Sequence, residues 1–261
     1  MKNMKNIIFE HDKKIGFIIL NRPKQRNALS LELMDELDNI LDKISDNRDI
    51  HVLVIKGKGP AFCAGHNINE LVGEKYNINH FRNIFYKCSK IMQKIHKIPQ
   101  PVIAQVHGAA LAAGCQLVSA CDLAIADEKT KFSTPGVKIG LFCSTPMVPL
   151  TRVIGRRNAL DMLLTGRFIS ASEALKFGLI NKMVNTRILN SETQKYAEDI
   201  AQYSLKVLEY GKKNFYKQIE MEEKKAYDIA KEAIAKNCLF KDAQEGMKAF
   251  LEKRKPIWTD Q

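Results

Sequence analysis

The chain has 261 residues, 45% hydrophobic and 27% charged, which suits one large globular and soluble domain, or one domain with an appendage. No apolar run reaches the roughly 18 residues that span a bilayer, and the opening MKNMKNIIFEHDKK lacks signal- and transit-peptide character, so no membrane partner and a cytoplasmic location are expected. A formal charge of +12 admits nucleic acid, anionic lipid or an anionic small ligand, but the lysines are scattered and no zinc-finger or RNP-type motif accompanies them, so no nucleic-acid partner is expected and a polyphosphorylated ligand is the specific reading.

In chain order, KIGFIILN (14–21) is a short branched apolar run ending at Asn-Arg-Pro, a strand and then a turn. Ser30 suits the cap of a helix in which Leu33, Met34, Leu37, Ile40, Leu41 and Ile44 recur at helical spacing. HVLVIKG (51–57) reads as a buried strand, and KGPAFCAGHNINEL (58–71) as a loop entering a short helix. The run 78–98 is a long amphipathic helix stopped by Pro99. PVIAQVHG (101–108) is a second buried strand, 111–120 a short apolar helix, and DLAIAD (122–127) a strand. FSTPGVKIGLFCSTP (132–146) is rich in Pro, Gly and Ser/Thr yet keeps its apolar residues, which marks a functional loop; Thr145-Pro146 then suits a helix start.

From about 156 the chain is mostly helical, interrupted by the strand INKMV and ending in three or four amphipathic helices. Alternating strands and helices followed by helices predict an α/β core over 1–195 and a helical C-terminal region over 196–261. The six cysteines form no CxxC pair and no zinc-like spacing with histidine, so reduced, mostly buried thiols and no metal site are expected.

Two strands end alike. VLVIKGKGPAFCAGH and VIAQVHGAALAAGCQ each run from a buried strand through a small-residue turn into a short helix. Gly and Ala at such turns let a ligand approach the backbone. The first N–H groups of a helix are unpaired within it and carry partial positive charge. Two such ends brought together would bind a developing oxyanion; kept apart, they are ordinary tight connections of an α/β fold.

The stretches NRPKQRNALS (21–30), FCAGHNINEL (62–71), PVIAQVHGAALAAGCQL (101–117), CDLAIADEKTKF (121–132), LTGRFISASEALKFGLINKMV (164–184) and EGMKAFLEKRKP (245–256) cover nearly the whole chain in order. Together they resemble the crotonase, or enoyl-CoA hydratase/isomerase, superfamily. The resemblance implies an α/β spiral of βαβ units with a helical C-terminal trimerisation region, assembled as a homotrimer or homohexamer. It implies an acyl-CoA thioester as ligand, with coenzyme A present only as part of that thioester and no permanently bound cofactor. By position, the oxyanion-hole amides fall on His66 and Ala113. The family usually has glycine at the second place; alanine supplies the same N–H if its φ is negative. Coenzyme A contacts fall on Gln25, Arg26 and Ala28, on Ala64, His66, Asn67 and Ile68, and on Phe250 and Lys253 near the C-terminus, the last two frequently reaching a neighbouring subunit.

The resemblance also exposes what is missing. Hydratases of this family use two glutamates; their places hold Gln116 and Gly136, and a third acidic place used by some relatives holds Ser144. General acid–base catalysis is worth about 10²–10⁴-fold and one oxyanion donor about 10²–10³-fold, so losing both acids is expected to remove more rate than the surviving hole supplies. Three readings stay open. The chain is an enoyl-CoA hydratase/isomerase with altered polar groups; or a malonyl-type acyl-CoA decarboxylase, since related decarboxylases carry the same Ala-Gly-His at the place of 64–66; or a non-catalytic acyl-CoA-binding protein. His66 is the candidate stand-in for the lost acids, against the simpler reading of a loop histidine that meets solvent or ligand. His107 is expected to make a structural hydrogen bond, and Asp122 and Asp127 to be turn or capping residues.

Overall fold

The computed structural model describes residues 4–72 and 77–260; the outermost residues of the two expected regions, 1–3 and 261, lie outside them. In chain order the elements are β1 (Ile7–Asp12), β2 (Ile15–Leu20), α1 (Leu31–Ser45), β3 (Val52–Gly57), α2 (Ile78–Lys97), β4 (Val102–Val106), β5 (Ala109–Leu111), α3 (Ala113–Ala120), β6 (Leu123–Asp127) and β7 (Lys131–Ser133). They continue with α4 (Met147–Thr165), β8 (Ile169–Ser170), α5 (Ala171–Phe177), β9 (Lys182–Val184), α6 (Leu189–Ala201), α7 (Leu205–Gln218), α8 (Glu223–Asn237) and α9 (Lys241–Leu251).

The larger sheet runs β1-β2-β3-β4-β6-β9, and every pairing in it except β1 with β2 is parallel. Parallel strands need crossover connections and are covered on both faces, so their sequences read as continuous apolar runs. In β3 the alternation is explicit. Leu53 and Ile55 join the core under α1 and α2, while Val52 and Val54 face α6 on the other side with Leu189, Ala197 and Ala201. Helix α1 buries all six residues expected of it, and Ser30 Oγ accepts the Leu33 N–H at 3.2 Å. Helix α6 runs unbroken across position 195 and packs on the larger sheet, so its burial ties the start of the C-terminal region to the α/β core.

A second sheet, β5-β7-β8, stands beside the first. Its strands are two or three residues long and were not expected from the sequence; nor was the edge strand β1, whose outer residues His11 and Asp12 are exposed. Helix α4 is two helices joined at Gly155, which has φ +76°.

The helical C-terminal region is anchored by charge. Lys212 on α7 donates to Ile95 O at 2.7 Å and Gln100 O at 2.8 Å, and pairs with the Asp122 carboxylate at 2.6 Å. Asp122 also accepts from Val102 N–H and from the Tyr216 hydroxyl, each at 2.7 Å. Asp122 is therefore more than the turn or capping residue expected: it is one half of a mostly buried ion pair between segments 90 residues apart. Asp127 does close a turn, accepting from Lys129 N–H and Thr130 Oγ1. His107 makes the structural bond expected, donating from Nε2 to Gly59 O at 2.8 Å.

Candidate functional site

Because β3 and β4 are parallel neighbours, the turns that follow them leave from the same edge of the sheet. The chain after β3 is then clamped between two other segments. On one side, Leu29 N–H donates to Gly65 O at 2.7 Å, Asn67 N–H to Leu29 O at 2.9 Å, and Ala64 N–H to Arg26 O at 3.0 Å. On the other, Cys63 N–H donates to Ala109 O at 3.2 Å and Leu111 N–H to Cys63 O at 2.9 Å. Gly65 has φ +103°, and a Cβ there would meet Ala112 Cβ at 3.0 Å, Leu111 O at 3.1 Å and Ala113 N at 3.6 Å. The two small-residue turns thus touch, and a glycine is what lets them.

Among the described residues, neither the His66 N–H nor the Ala113 N–H has a hydrogen-bond acceptor. Ala113 is wholly buried, opens α3, and has no side-chain cap in front of it. Its helical conformation meets the condition set for an alanine at that place. The strained residue is its neighbour: Ala112 sits at φ +48°, ψ −115°, a region that normally requires glycine. Such a conformation costs on the order of 1–3 kcal/mol.

His66 is half-buried, with its ring nitrogens turned inward. Both Nδ1 and Nε2 are buried with no hydrogen-bond partner, and the ring meets Phe85 of α2 edge-on, with centroids 5.3 Å apart and planes at 88°. Burial pushes the imidazole pKa down to about 4, with Glu70 and the adjacent Leu29 backbone opposing, so at neutral pH the ring is uncharged. Of the simpler reading, a loop histidine that meets solvent or ligand, the structure shows only that the two ring nitrogens are shielded from solvent.

Gln116 is 2% exposed. Its Oε1 accepts from Thr145 Oγ1 at 3.2 Å and from Cys88 Sγ at 3.7 Å, and among the described residues its Nε2 has no partner. Gly136 lies in the 3-10 turn Pro135–Ile139, and the chain closes over it: a Cβ there would come 2.6 Å from Leu141 O and 2.9 Å from Cys143 Sγ. The place holds backbone and a thiol, and a side chain has no room in it. Ser144 is exposed and its hydroxyl donates to Phe142 O at 3.3 Å; among the described residues no basic side chain bonds it. Cys63, Cys88, Cys115, Cys121 and Cys143 are buried free thiols; burial pushes Cys63, Cys88 and Cys115 up to about 12, so none is a thiolate nucleophile at neutral pH.

Touching turns with unpaired donors describe a geometry; comparison with known proteins gives it a lineage. The model of the enoyl-CoA hydratase/isomerase family matches residues 10–261. The chain belongs to the enoyl-CoA hydratase/isomerase family. It is 46% identical over 242 residues to the Homo sapiens protein called enoyl-CoA hydratase domain-containing protein 3, mitochondrial, a match covering 93% of this chain and 80% of that one. The Xenopus laevis protein of the same name is 44% identical over 252 residues, covering 97% and 85%. Among solved structures, human enoyl-CoA hydratase domain-containing protein 3 superposes with a TM-score of 0.95 at 44% identity, covering 97% of this chain and 100% of that one. The enoyl-CoA hydratase of Mycobacterium smegmatis superposes at 0.94 with 38% identity, covering 97% and 98%. Both curated relatives are mitochondrial by name, which overturns the cytoplasmic location expected above. A start without leader-like composition does not define a compartment.

In this enoyl-CoA hydratase/isomerase family member, the residues expected around coenzyme A fall into two groups. Gln25, Arg26 and Ala28 adjoin Ala64 and His66 through the Ala64–Arg26 and Leu29–Gly65 bonds, with Asn67 and the exposed Ile68 continuing the loop. Beside Gln25 lies an open cleft of about 400 Å³ lined by Lys5, Asn21, Arg22 and Lys24 with Glu32. Phe250 and Lys253 stand apart: both are exposed at the end of α9, and among the described residues no hydrogen bond, ion pair or ring contact joins them to the 25–28 or 64–68 segments. Phe85, Cys88 and Thr145, which touch the candidate residues directly, were not singled out from sequence. Helical spacing marks Cys88 as inward-facing but says nothing about which side chain it meets. Among the described residues no group of three or more His, Cys, Asp or Glu side chains is placed to hold a metal ion.

Proposed function

We propose that this enoyl-CoA hydratase/isomerase family member binds an acyl-CoA thioester and polarises its carbonyl with the main-chain N–H groups of His66 and Ala113. The observation that carries the reading is that these two N–H groups lack acceptors while the turns bearing them touch at Gly65 and Ala112. A carbonyl oxygen placed between them would complete both donors and gain charge-stabilising hydrogen bonds as negative charge develops. The Gln25–Ala28 and Ala64–Ile68 segments, with Lys24 and Arg26 nearby, would take the nucleotide end of the coenzyme, and the basic side chains its phosphates.

Proton transfer is the weak part of the machinery. Gln116 has an amide, Gly136 has neither side chain nor space for one, and among the described residues the Ser144 hydroxyl bonds only Phe142 O. The chain is therefore read as an acyl-CoA-binding member in which hydration by paired carboxylates is lost. Assembly as a trimer or a dimer of trimers belongs to the same proposal. Leu239 in the turn before α9 and Phe250 and Leu251 at its end are each about four-fifths exposed, apolar side chains suited to contact a second copy, from which Phe250 and Lys253 would reach a neighbour's ligand.

Calorimetric titration with butyryl-CoA and with free coenzyme A tests the binding; absence of saturable binding of the thioester removes the reading. A steady-state assay with crotonyl-CoA tests the chemistry, and a rate typical of a two-glutamate hydratase contradicts the assignment of Gln116 and Gly136.

A further inference from the structure

After α9 the backbone turns at Lys253, which has φ +54°, and residues 256–260 run back without regular structure to the start of α7 and the residue before β3. They form a strap. Trp258 Nε1 donates to Gln202 O at 2.8 Å, and its ring covers Gly246 of α9, where a Cβ would stand 3.1 Å from it. Asp242 of α9, 1% exposed, accepts from Thr259 N–H at 2.7 Å, Thr259 Oγ1 at 2.9 Å and Asp260 N–H at 2.8 Å. Asp260 Oδ1 in turn accepts the Leu205 N–H, the first of α7, at 2.5 Å. Asp260 does this at φ +58°, a left-handed conformation that aspartate tolerates better than most residues.

The other oxygen of Asp260 makes the contact that matters here. His51, just before β3, is 2% exposed. Its Nδ1 lies 3.1 Å from Tyr203 O and its Nε2 3.3 Å from Asp260 Oδ2. Both neighbours are acceptors. A neutral imidazole has one N–H, so in either tautomer it satisfies one of them and turns a lone pair on the other; an imidazolium satisfies both. Among the described residues the charged groups that face the ring are Asp260 from the strap and Lys14 from the turn between β1 and β2. Burial, then Lys14, hold the ring below its ordinary pKa, against Asp260 and the carbonyls of Tyr203 and Ala201. Lifting the strap takes away Asp260 and leaves Lys14 in place. Closing it therefore raises the ring's affinity for a proton, and by linkage a proton favours closing. Because the ring titrates below 6.5, the change falls on the acid side of that value.

We propose that His51 and Asp260 form a proton-operated clasp on the C-terminal strap, one hydrogen bond short at neutral pH and completed on mild acidification, when His51 takes its second proton from solvent. The clasp fastens α9 as well, through Asp242, and so governs the order of the helix end that carries Phe250 and Lys253. It stands apart from the thioester reading and does not depend on it.

Hydrogen exchange with mass spectrometry on the full chain, corrected for the intrinsic pH dependence of exchange, reads the opening of residues 256–260. Protection there should rise about tenfold from pH 7.5 to pH 5.0, the worth of one charge-assisted bond. Trp258, the only tryptophan of the chain, should become harder for acrylamide to quench over the same range. Stability of the whole chain falls over that range as His66 resists protonation, so the strap's trend has the opposite sign. In His51→Gln the rise disappears. In Asp260→Asn the amide nitrogen donates to the neutral ring and its oxygen keeps the Leu205 N–H, so protection at pH 7.5 is at least that of the parent and no longer depends on pH. A flat or falling profile in the parent overturns the clasp, as does an undiminished rise in either variant. Should His51→Gln fold poorly, Asp260→Asn decides alone.

Discussion

Gly65 and Ala112 face each other so closely that a Cβ on the glycine would lie 3.0 Å from the Cβ of the alanine. This contact sets how near the turn after β3 comes to the start of α3. Gly65→Ala must strain a φ of +103° and crowd the backbone at Leu111 O. The expected loss is about 2–4 kcal/mol from the two effects together, read as a lower urea midpoint, with acyl-CoA binding weakened beyond what a partly unfolded fraction explains. A stable variant with unchanged binding would show that the turns need not touch.

Ala112 works in the opposite direction. Its φ of +48° is one that glycine adopts freely, so Ala112→Gly should stabilise the fold by about 1 kcal/mol despite the looser unfolded chain. Thermal unfolding checks this, and an unchanged or lower midpoint would mean no strain is held there.

Gly136→Glu introduces a carboxylate where the backbone leaves no space for it. Its Cβ would collide with Leu141 O and Cys143 Sγ, so the variant should lose about 1–3 kcal/mol of stability and gain no crotonyl-CoA hydration, alone or with Gln116→Glu. Hydration by the double variant would show that the 141–143 segment yields easily.

His66 sets a pH dependence. Its folded pKa of about 4 lies below the unfolded value of 6.5, so above pH 6.5 neither state is protonated and its contribution is constant. As pH falls from 6.5 toward 4 the unfolded chain takes up a proton that the native ring refuses, and up to about 3 kcal/mol of stability is lost. His51 and His96, also lowered by burial, add in the same sense. Urea unfolding between pH 4.5 and 7.5 should show a shallower fall in His66→Phe than in the parent. Parallel curves would place the ring in a wetter setting.

Lys212 is the remaining test of architecture. Lys212→Met strips the Asp122 carboxylate of its buried cation and two carbonyls of their donor, which should cost about 3–5 kcal/mol. A loss under 1 kcal/mol in urea unfolding would make the pair incidental to docking of α7.

These outcomes bear on what the chain discloses as text. The six buried positions of α1 and the runs of β3 and β4 were legible because burial on one helical stripe, or on both faces of a parallel strand, leaves a periodic or continuous apolar record. The turn at Ala64–His66 was legible through its small residues. The closure over Gly136 was not, because Leu141 and Cys143 fill that space by the path of the backbone rather than by residue type. Nor was the strain at Ala112: two alanines stand side by side, and only the fold decides which one leaves the helical region. The Lys212–Asp122 pair joins residues too far apart in the chain for any local pattern to link them.

The filled space over Gly136 gives the chain a direction in its history. A carboxylate arriving there by a single codon change meets a wall, and a loop shift that clears the wall brings no benefit until the carboxylate arrives. Neither change is favoured first, so position 136 acts as a ratchet, and a chain that has closed over its glycine does not readily gain a carboxylate there.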